Sequence, residues 1–599
     1  MKQGKNALRR KLLISVAVLV ILNLASTKIF KRFDLTQDKR YTLSQTSLQI
    51  VGQAKEPLYV DVFLKGDFPG EFRKLQTEAN QLLEEFRAQN PQVKFRFGNP
   101  MGDSNDYSNE EKKDLIFDLF ELNAPKLTQD QQNEVKNSID KVDDLDRALT
   151  DSFAGNGLLP VSVTVNDRGK QSEQVVFPWA IARYGNRTVK IPLLKTTMGG
   201  STEQKVVNSV QYLEYAFANG FNTVLQPKKK SIVIIKGNGE LNEPQIADFL
   251  KEARANYFLA PFTLDSVATQ PNQTLEHLKH YDLAIIAKPT QKFSDEEKEV
   301  LDQYVMSGGK TIWLIDQVNA EMDSLYNDGT ALAFPNDLNL NDMFFKYGVR
   351  LHPAMVKDLM AAPIALATGA QGSATQYTQY PWFYSPLAYP AAKHPIVTNL
   401  DGVKFEFASP IELLKNDVKK TVLLQSSPYS KPIGTPSQID LKMVEERPQQ
   451  SEFTGQGNMP VAVLLEGKFR SVYQNRVLPF KDNGFMPESR QTQMIVISDG
   501  DLIKNQFDKN YKPLELGYDK WTNKLYANKE FLMNCVNYLL DDNGLINIRS
   551  KQVSLPVLDK EKVYARYTST QVLTVGLPML ALAVFGILFT WLRRRKYTR

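Results

Sequence analysis

Two apolar stretches stand at opposite ends of this 599-residue chain, Leu12 to Phe30 and Val572 to Leu592, each with a basic cluster on its terminal side. A helix rises about 1.5 Å per residue and membrane hydrocarbon is about 30 Å thick, so roughly 20 residues suffice to cross it. Both stretches qualify. A chain hooked at both ends must keep everything between the hooks on one side.

Flanking charge decides which side. Lys2, Lys5, Arg9, Arg10 and Lys11 precede the first stretch, Arg593, Arg594, Arg595, Lys596 and Arg599 follow the second, and no acid dilutes either cluster. Basic flanks are retained in the cytoplasm, so both termini are expected there and the body outside. The first stretch alone is ambiguous, because Lys28, Lys31, Arg32, Lys39 and Arg40 lie just beyond it. The second breaks the tie: its other flank carries only Lys560, Lys562 and Arg566, partly offset by Asp559 and Glu561. The rival reading of the N-terminus is a cleaved signal peptide. Asn23, Leu24, Ser26 and Thr27 around Ala25 lack the small-x-small pattern of a cleavage site, which favours an uncleaved anchor.

The net charge of +6 therefore does not announce a nucleic-acid partner. The two tails hold ten basic residues and no acid, which leaves −4 for residues 12–592. A single cysteine, Cys535, excludes an intrachain disulfide, so the body must rely on ordinary cores.

The expected organisation is a cytoplasmic tail (1–11), a first transmembrane helix (12–30), an α/β domain (31–225), a second α/β domain (226–550) with a loop-rich insertion at about 361–460, a linker (551–570), a second transmembrane helix (571–592) and a cytoplasmic tail (593–599). In the first domain Leu58 to Leu64 reads as a strand. Phe72, Leu75, Leu82, Leu83 and Phe86 recur at helical spacing, and Val93 to Phe97 reads as a second strand. Later strands at 161–165, 174–183 and 188–193 complete a β-α-β-α-β-β order that suits a thioredoxin-like layout. After the first strand, where such a fold keeps its redox cysteines, this chain has Lys65-Gly66-Asp67-Phe68-Pro69-Gly70, which excludes thiol chemistry.

Residues 231–316 alternate buried-type strands (231–235, 282–287, 311–315) with single helices, the pattern of a doubly wound parallel sheet. Ligands of such sheets bind beyond the carboxyl ends of the strands. That singles out the loop Gly237, Asn238, Gly239, Glu240, together with Asp316 and, after the strand at 494–497, Asp499 and Asp501. Glycines let backbone N–H groups approach a polar ligand, and paired carboxylates can exchange protons or hold a cation. The plainer readings are a tight turn and turn-capping aspartates. In the second apolar stretch Gly576, Ala583, Gly586 and Thr590 share one helical face, a small-residue stripe suited to close packing on another membrane helix. No Gly-x-x-x-x-Gly-Lys-Ser/Thr run occurs, so ATP hydrolysis belongs to another chain.

The juxtamembrane run Arg32-Phe33-Asp34-Leu35-Thr36-Gln37-Asp38-Lys39-Arg40-Tyr41-Thr42-Leu43-Ser44 resembles that of the gliding-motility ABC-transporter auxiliary family, the GldG type. Phe293 to Lys298 leading to Gly308-Gly309-Lys310, Val496 to Ile503, and Asn528 to Phe531 leading to Asp541-Asp542-Asn543-Gly544-Leu545 are similar too. The resemblance implies a Bacteroidetes-type inner-membrane protein with a periplasmic body, partnered by an ABC permease and a separate ATPase, and an amidotransferase-like second domain. No cofactor and no metal are expected. The chain departs from catalytic amidotransferases: its only thiol is Cys535, and the family's Gly-His-Gly-Glu loop reads Gly237-Asn238-Gly239-Glu240. The expectation is thus a non-enzymatic auxiliary or substrate-binding-type subunit. The alternatives are a periplasmic hydrolase of envelope glycans or esters using Glu240, Asp316 or Asp499, and a structural tether of the cell envelope.

Overall fold

Local sequence fixes the first sheet. Ser44 caps helix α1 (Gln45–Val51), its hydroxyl accepting from the Ser47 N–H. Strand β1 (Leu58–Val62) then buries every side chain but that of Tyr59. Helix α2 (Gly70–Gln89) turns Phe72, Leu75, Ala79, Leu82, Leu83 and Phe86 inward, the helical period read from sequence. Asn90 ends it, its amide donating to the carbonyls of Val51 and Ala54 at 2.7 and 2.9 Å. Strand β2 (Val93–Phe97) lies parallel to β1.

Three helices follow, α3 (Asn109–Asn123), α4 (Gln129–Asp140) and α5 (Leu145–Gly155), then the hairpin β3 (Val161–Asp167) and β4 (Lys170–Val176). Strands β5 (Trp179–Tyr184) and β6 (Arg187–Pro192) close a four-stranded sheet of order β2-β1-β5-β6, with β5 antiparallel to β1. A 24-residue helix, α6 (Thr202–Leu225), comes next. It is buried nearly all round, and so closely packed that a Cβ at Gly220 would stand 2.5 Å from Cδ1 of Ile191.

The computed structural model describes residues 14–20, 34, 39–66, 68–101, 106–123, 127–167, 170–195, 201–226, 230–368, 376–445, 447–453, 455–482, 484–551 and 564–597. They divide into two units, Met1–Gln552 and Val553–Arg599.

A second, ten-stranded sheet follows α6. Its first half alternates strand and helix: β7 (Ser231–Lys236), α7 (Ala247–Asn256), β8 (Phe258–Thr263), α8 (Pro271–Leu278), β9 (Leu283–Ala287), α9 (Asp295–Met306) and β10 (Lys310–Leu314). Two short helices, α10 (Met322–Asp328) and α11 (Asn341–Tyr347), precede β11 (Ala361–Ala367), β12 (Tyr377–Pro390), β13 (Lys419–Gln425), β14 (Pro460–Gly467) and β15 (Thr492–Ile497), and α12 (Asn528–Leu540) covers the sheet. Nine of the strands lie in the order β11-β12-β13-β14-β15-β10-β9-β7-β8, and a tenth, the two-residue strand Val403–Lys404, pairs with β12 off this path.

The five strands from β15 to β8 run parallel, while β14, β13, β12 and β11 pair antiparallel beyond β15. The expectation of a parallel sheet is therefore corrected to a mixed one. The stretch 361–460, expected as long loops with short strands such as Thr421 to Leu424, supplies four of its strands, β13 covering that expected one. Alternate side chains face opposite layers: Ile232, Ile234, Ile312 and Leu314 pack with α7 and α12, Val233, Ile235, Ile286 and Trp313 with α8, α9 and α11.

In the second unit residues Tyr567–Tyr597 are helical, with a π turn at Val572–Gly576, and this is the one helix among the described residues long and apolar enough to cross a membrane. Pro578 lacks the N–H that the Thr574 carbonyl would accept, which accounts for the widened turn. The helix begins inside the expected 551–570 linker, whose residues 552–563 lie outside the described ones. Of the first apolar stretch residues 14–20 are helical, and its remainder lies outside the described residues.

Candidate functional site

Parallel register brings the candidate acids together. Ala287 lies beside Leu314 and Leu314 beside Ile497. One residue past β9 stands Lys288, while Asp316 and Asp499 each stand two residues past their strands, at one level of the sheet's carboxyl edge.

Lys288 is the hub. Its ammonium, on a side chain 5 % exposed, lies 2.5 Å from Asp501, 2.7 Å from Glu321 and 3.4 Å from Asp316. Burial works against its charge, but Asp501, Asp316 and Glu321 together hold it above its ordinary value. The carboxylates also order backbone. Asp316 accepts from the Gly500 N–H at 2.5 Å, and Asp499 accepts from the N–H groups of Asp501 and Glu406, both at 2.7 Å. Burial, and then the neighbouring Asp501 charge, push the Asp316 carboxyl up to about 7. Burial, then Asp316 and Asp501, push Asp499 well above the carboxylate range.

The oxygens of Asp316, Glu321 and Asp501 lie within 4.8 Å of one another, a spacing that suits a cation. The Lys288 ammonium already touches all three, so the cluster carries its own counter-ion.

The Gly237–Glu240 loop stands at the other half of the same edge. β7 has β8 on one side and β9 on the other, which makes the gap beyond β7 and β9 the switch point of the parallel strands. The chain fills that gap itself. The N–H groups of Thr290 and Gln291 donate to the Asn238 carbonyl, both at 2.9 Å, and the Thr290 hydroxyl donates to the Gly239 carbonyl at 3.0 Å. Asn238 donates through its amide to Glu297 at 3.0 Å, and its N–H donates to Glu240 at 2.8 Å. Gly239 has φ 74°, and a Cβ there would stand 2.2 Å from the Thr290 hydroxyl. Burial raises the Glu240 carboxyl, against the hydrogen bonds that favour its charge.

A groove of about 780 Å³ opens beside Asp316, lined among others by Gln317, Asn336, Phe345, Arg350, Gln474 and Arg476. The Asn336 amide donates to the Asp316 carbonyl at 3.2 Å, joining groove and edge. The Arg350 guanidinium lies 5.2 Å from the centre of the half-exposed Phe345 ring, and Arg476 pairs with Asp342 at 2.7 Å.

Sequence reasoning named Asp316, Asp499 and Asp501 but missed Lys288, Glu321 and the groove. The available signal for Lys288 was a lone charge closing a wholly apolar strand. Cys535 is fully buried in α12, as a core residue. The face Gly576, Ala583, Gly586 and Thr590 lies in the second unit, where the Thr590 hydroxyl donates to the Gly586 carbonyl at 2.7 Å.

Residues 229–535, just over half of the chain, match the family described as an ABC-type uncharacterized transport system. The chain belongs to that family. Residues 37–183 match a domain of unknown function. An uncharacterized protein of Borreliella burgdorferi is 22 % identical over 404 residues, 65 % of this chain and 71 % of the relative. Among solved structures, the mmIFT52 N-terminal domain aligns at 15 % identity with a TM-score of 0.29, covering 52 % of this chain and 98 % of that one. Family membership makes this chain an accessory of an ABC-type transport system, associated with its components. The apolar C-terminal helix supports membrane association.

Proposed function

We propose that this chain is the non-catalytic, membrane-held auxiliary subunit of an ABC transporter, with its body outside the cytosol beside a permease that a separate ATPase subunit drives. The family match over 229–535 carries the reading. The basic clusters outside both apolar stretches support cytoplasmic termini, a bacterial inner-membrane location and a periplasmic body. The link to gliding motility rests on the juxtamembrane resemblance. The sheet order β2-β1-β5-β6 supports a thioredoxin-like reading of the first domain, and the parallel half of the larger sheet an amidotransferase-like reading of the second.

The strand edge favours holding over chemistry. Its carboxylates are engaged by Lys288 and backbone N–H groups, and its switch point is filled by Thr290 and Gln291. The groove beside Asp316 is the place where a cargo would rest, and the stripe Gly576, Ala583, Gly586 and Thr590 is the face that packs on the permease.

Purification in mild detergent tests this. A multi-span permease and a P-loop ATPase should come down with the tagged chain, and protease added to spheroplasts should cut the body. A chain recovered alone, or a body that stays protected, overturns it. The hydrolase reading draws on the raised carboxyls of Asp316 and Asp499. It would require turnover of envelope glycans or esters that Asp499→Asn abolishes.

A further inference from the structure

Three polar contacts from two distant parts of the chain converge on one carboxylate of α6. Glu214, 6 % exposed, accepts through Oε1 from the Ser44 N–H at 2.7 Å and the Ser47 hydroxyl at 2.9 Å, and its Oε2 lies 2.6 Å from Lys551 Nζ. The same ammonium donates to the carbonyls of Arg40 and Thr42 at 3.5 and 2.8 Å. The Thr46 hydroxyl donates to the Asn543 carbonyl at 3.2 Å. Lys551 and Thr42 are 509 residues apart in sequence, yet the segment by which the chain comes into the body and the one by which it leaves run side by side on α6.

The next turns of α6 reach the second domain. Tyr212 and Tyr215 hold the Arg549 guanidinium at 5.5 and 5.2 Å from their ring centres, and Arg549 pairs with Glu530 of α12 at 2.7 Å. Lys195, just ahead of α6, pairs with the same carboxylate at 2.9 Å. Toward the first domain, Phe221 of α6 packs edge-on against Phe86 of α2, centres 5.1 Å apart. One helix thus touches both stems, α2 of the first domain and, through Arg549, α12 of the second.

We propose that Glu214 is a clamp joining the inbound and outbound stems to α6, so that displacing either stem displaces the other and the joint between the two domains. A carboxylate shut away from water holds its partners tightly, because losing either leaves a buried charge or donor unpaired. The use of the clamp rests on the membrane-held reading: a transport partner that moves one apolar segment moves both stems.

Amide hydrogen exchange on the full chain in mild detergent, without permease, tests the clamp, so its failure is separate from a failed co-purification. Lys551→Met substitutes a residue of the outbound stem and removes, besides its Glu214 pair, its bonds to the Arg40 and Thr42 carbonyls. It should raise exchange at residues 43–51 at least tenfold along with 545–551, while β9 and β10 keep their protection. Glu214→Gln should give the same pair of changes. Faster exchange confined to 545–551 in Lys551→Met overturns the proposal. If both variants loosen β9 and β10 as well, Ser47→Ala decides: it must raise exchange at 545–551 severalfold, and no change there overturns the proposal.

Discussion

The Lys288 ammonium sits 2.5 Å from the Asp501 carboxylate, at the carboxyl edge of the parallel strands, with Glu321 and Asp316 completing its surroundings. The lysine occupies the place among three acids that an ion would otherwise take. Lys288→Met should therefore leave Asp316, Glu321 and Asp501 with Lys504, 3.4 Å from Asp501, as their remaining cation. Removing one partner of a buried cluster costs about 3–5 kcal/mol. The loss should be larger at pH 8 than at pH 5.5, where the raised Asp316 carboxyl can take up a proton. Denaturant titration of the full chain at the two pH values measures it.

Asp316 sets the sign of a second effect. Its carboxyl is raised from 3.8 to about 7, by burial first and Asp501 second. The folded state then binds a proton that the unfolded state has released, so this group's contribution is complete below pH 3.8 and is lost as pH rises to about 7. Asp316→Asn keeps an oxygen for the Gly500 N–H but cannot ionise. Its stability should fall less than the parent's between pH 5 and pH 8, read by thermal unfolding at matched ionic strength.

What the sequence made legible follows from how each element buries itself. Strands β7, β9 and β10 read clearly because both faces are covered and each carries an unbroken apolar run, 232–235, 283–287 and 312–314. Asp316 followed from β10, and Asp499 and Asp501 from β15. Strands β11 and β12 read as loops because they lie at the antiparallel margin, where Tyr377, Thr378 and Gln379 are exposed and Pro381 and Pro386 interrupt the pattern. Helix α6 escaped for the opposite reason: Val206, Val210, Leu213, Phe217 and Phe221 are buried on one side and Tyr215, Ala218 and Val224 on others, which erases the amphipathic stripe. Lys288 was hidden because its partners come from chain positions 28 to 213 residues away.

Gly220 tests how tightly α6 is seated. Alanine in a helix normally stabilises by about 1 kcal/mol over glycine. Here its Cβ would press on Cδ1 of Ile191 at 2.5 Å, so Gly220→Ala should destabilise by about 1–3 kcal/mol. Adding Ile191→Val removes the nearest atom and should recover part of the loss. Equal unfolding midpoints for the single and double variants would contradict this packing.

The Glu530 cluster predicts a pH response opposite to that of Asp316. Burial pushes the Glu530 carboxyl up, but Lys195 and Arg549 more than offset this and hold it below its ordinary value. Lys195 is held low by burial, with Glu530 working against that fall. In Glu530→Gln two buried cations face an amide, at a cost of about 3–5 kcal/mol. Lys195 is the group that can relieve the excess, by losing its proton when folded while the unfolded chain keeps it. The unfolded state then binds more protons, and stability must rise with pH. Glu530→Gln should accordingly regain part of its loss between pH 7 and pH 9.5, whereas a Glu530→Gln, Lys195→Met double variant should show no such gain. A double variant that still recovers at high pH would assign the response to another group and remove Lys195 from the account.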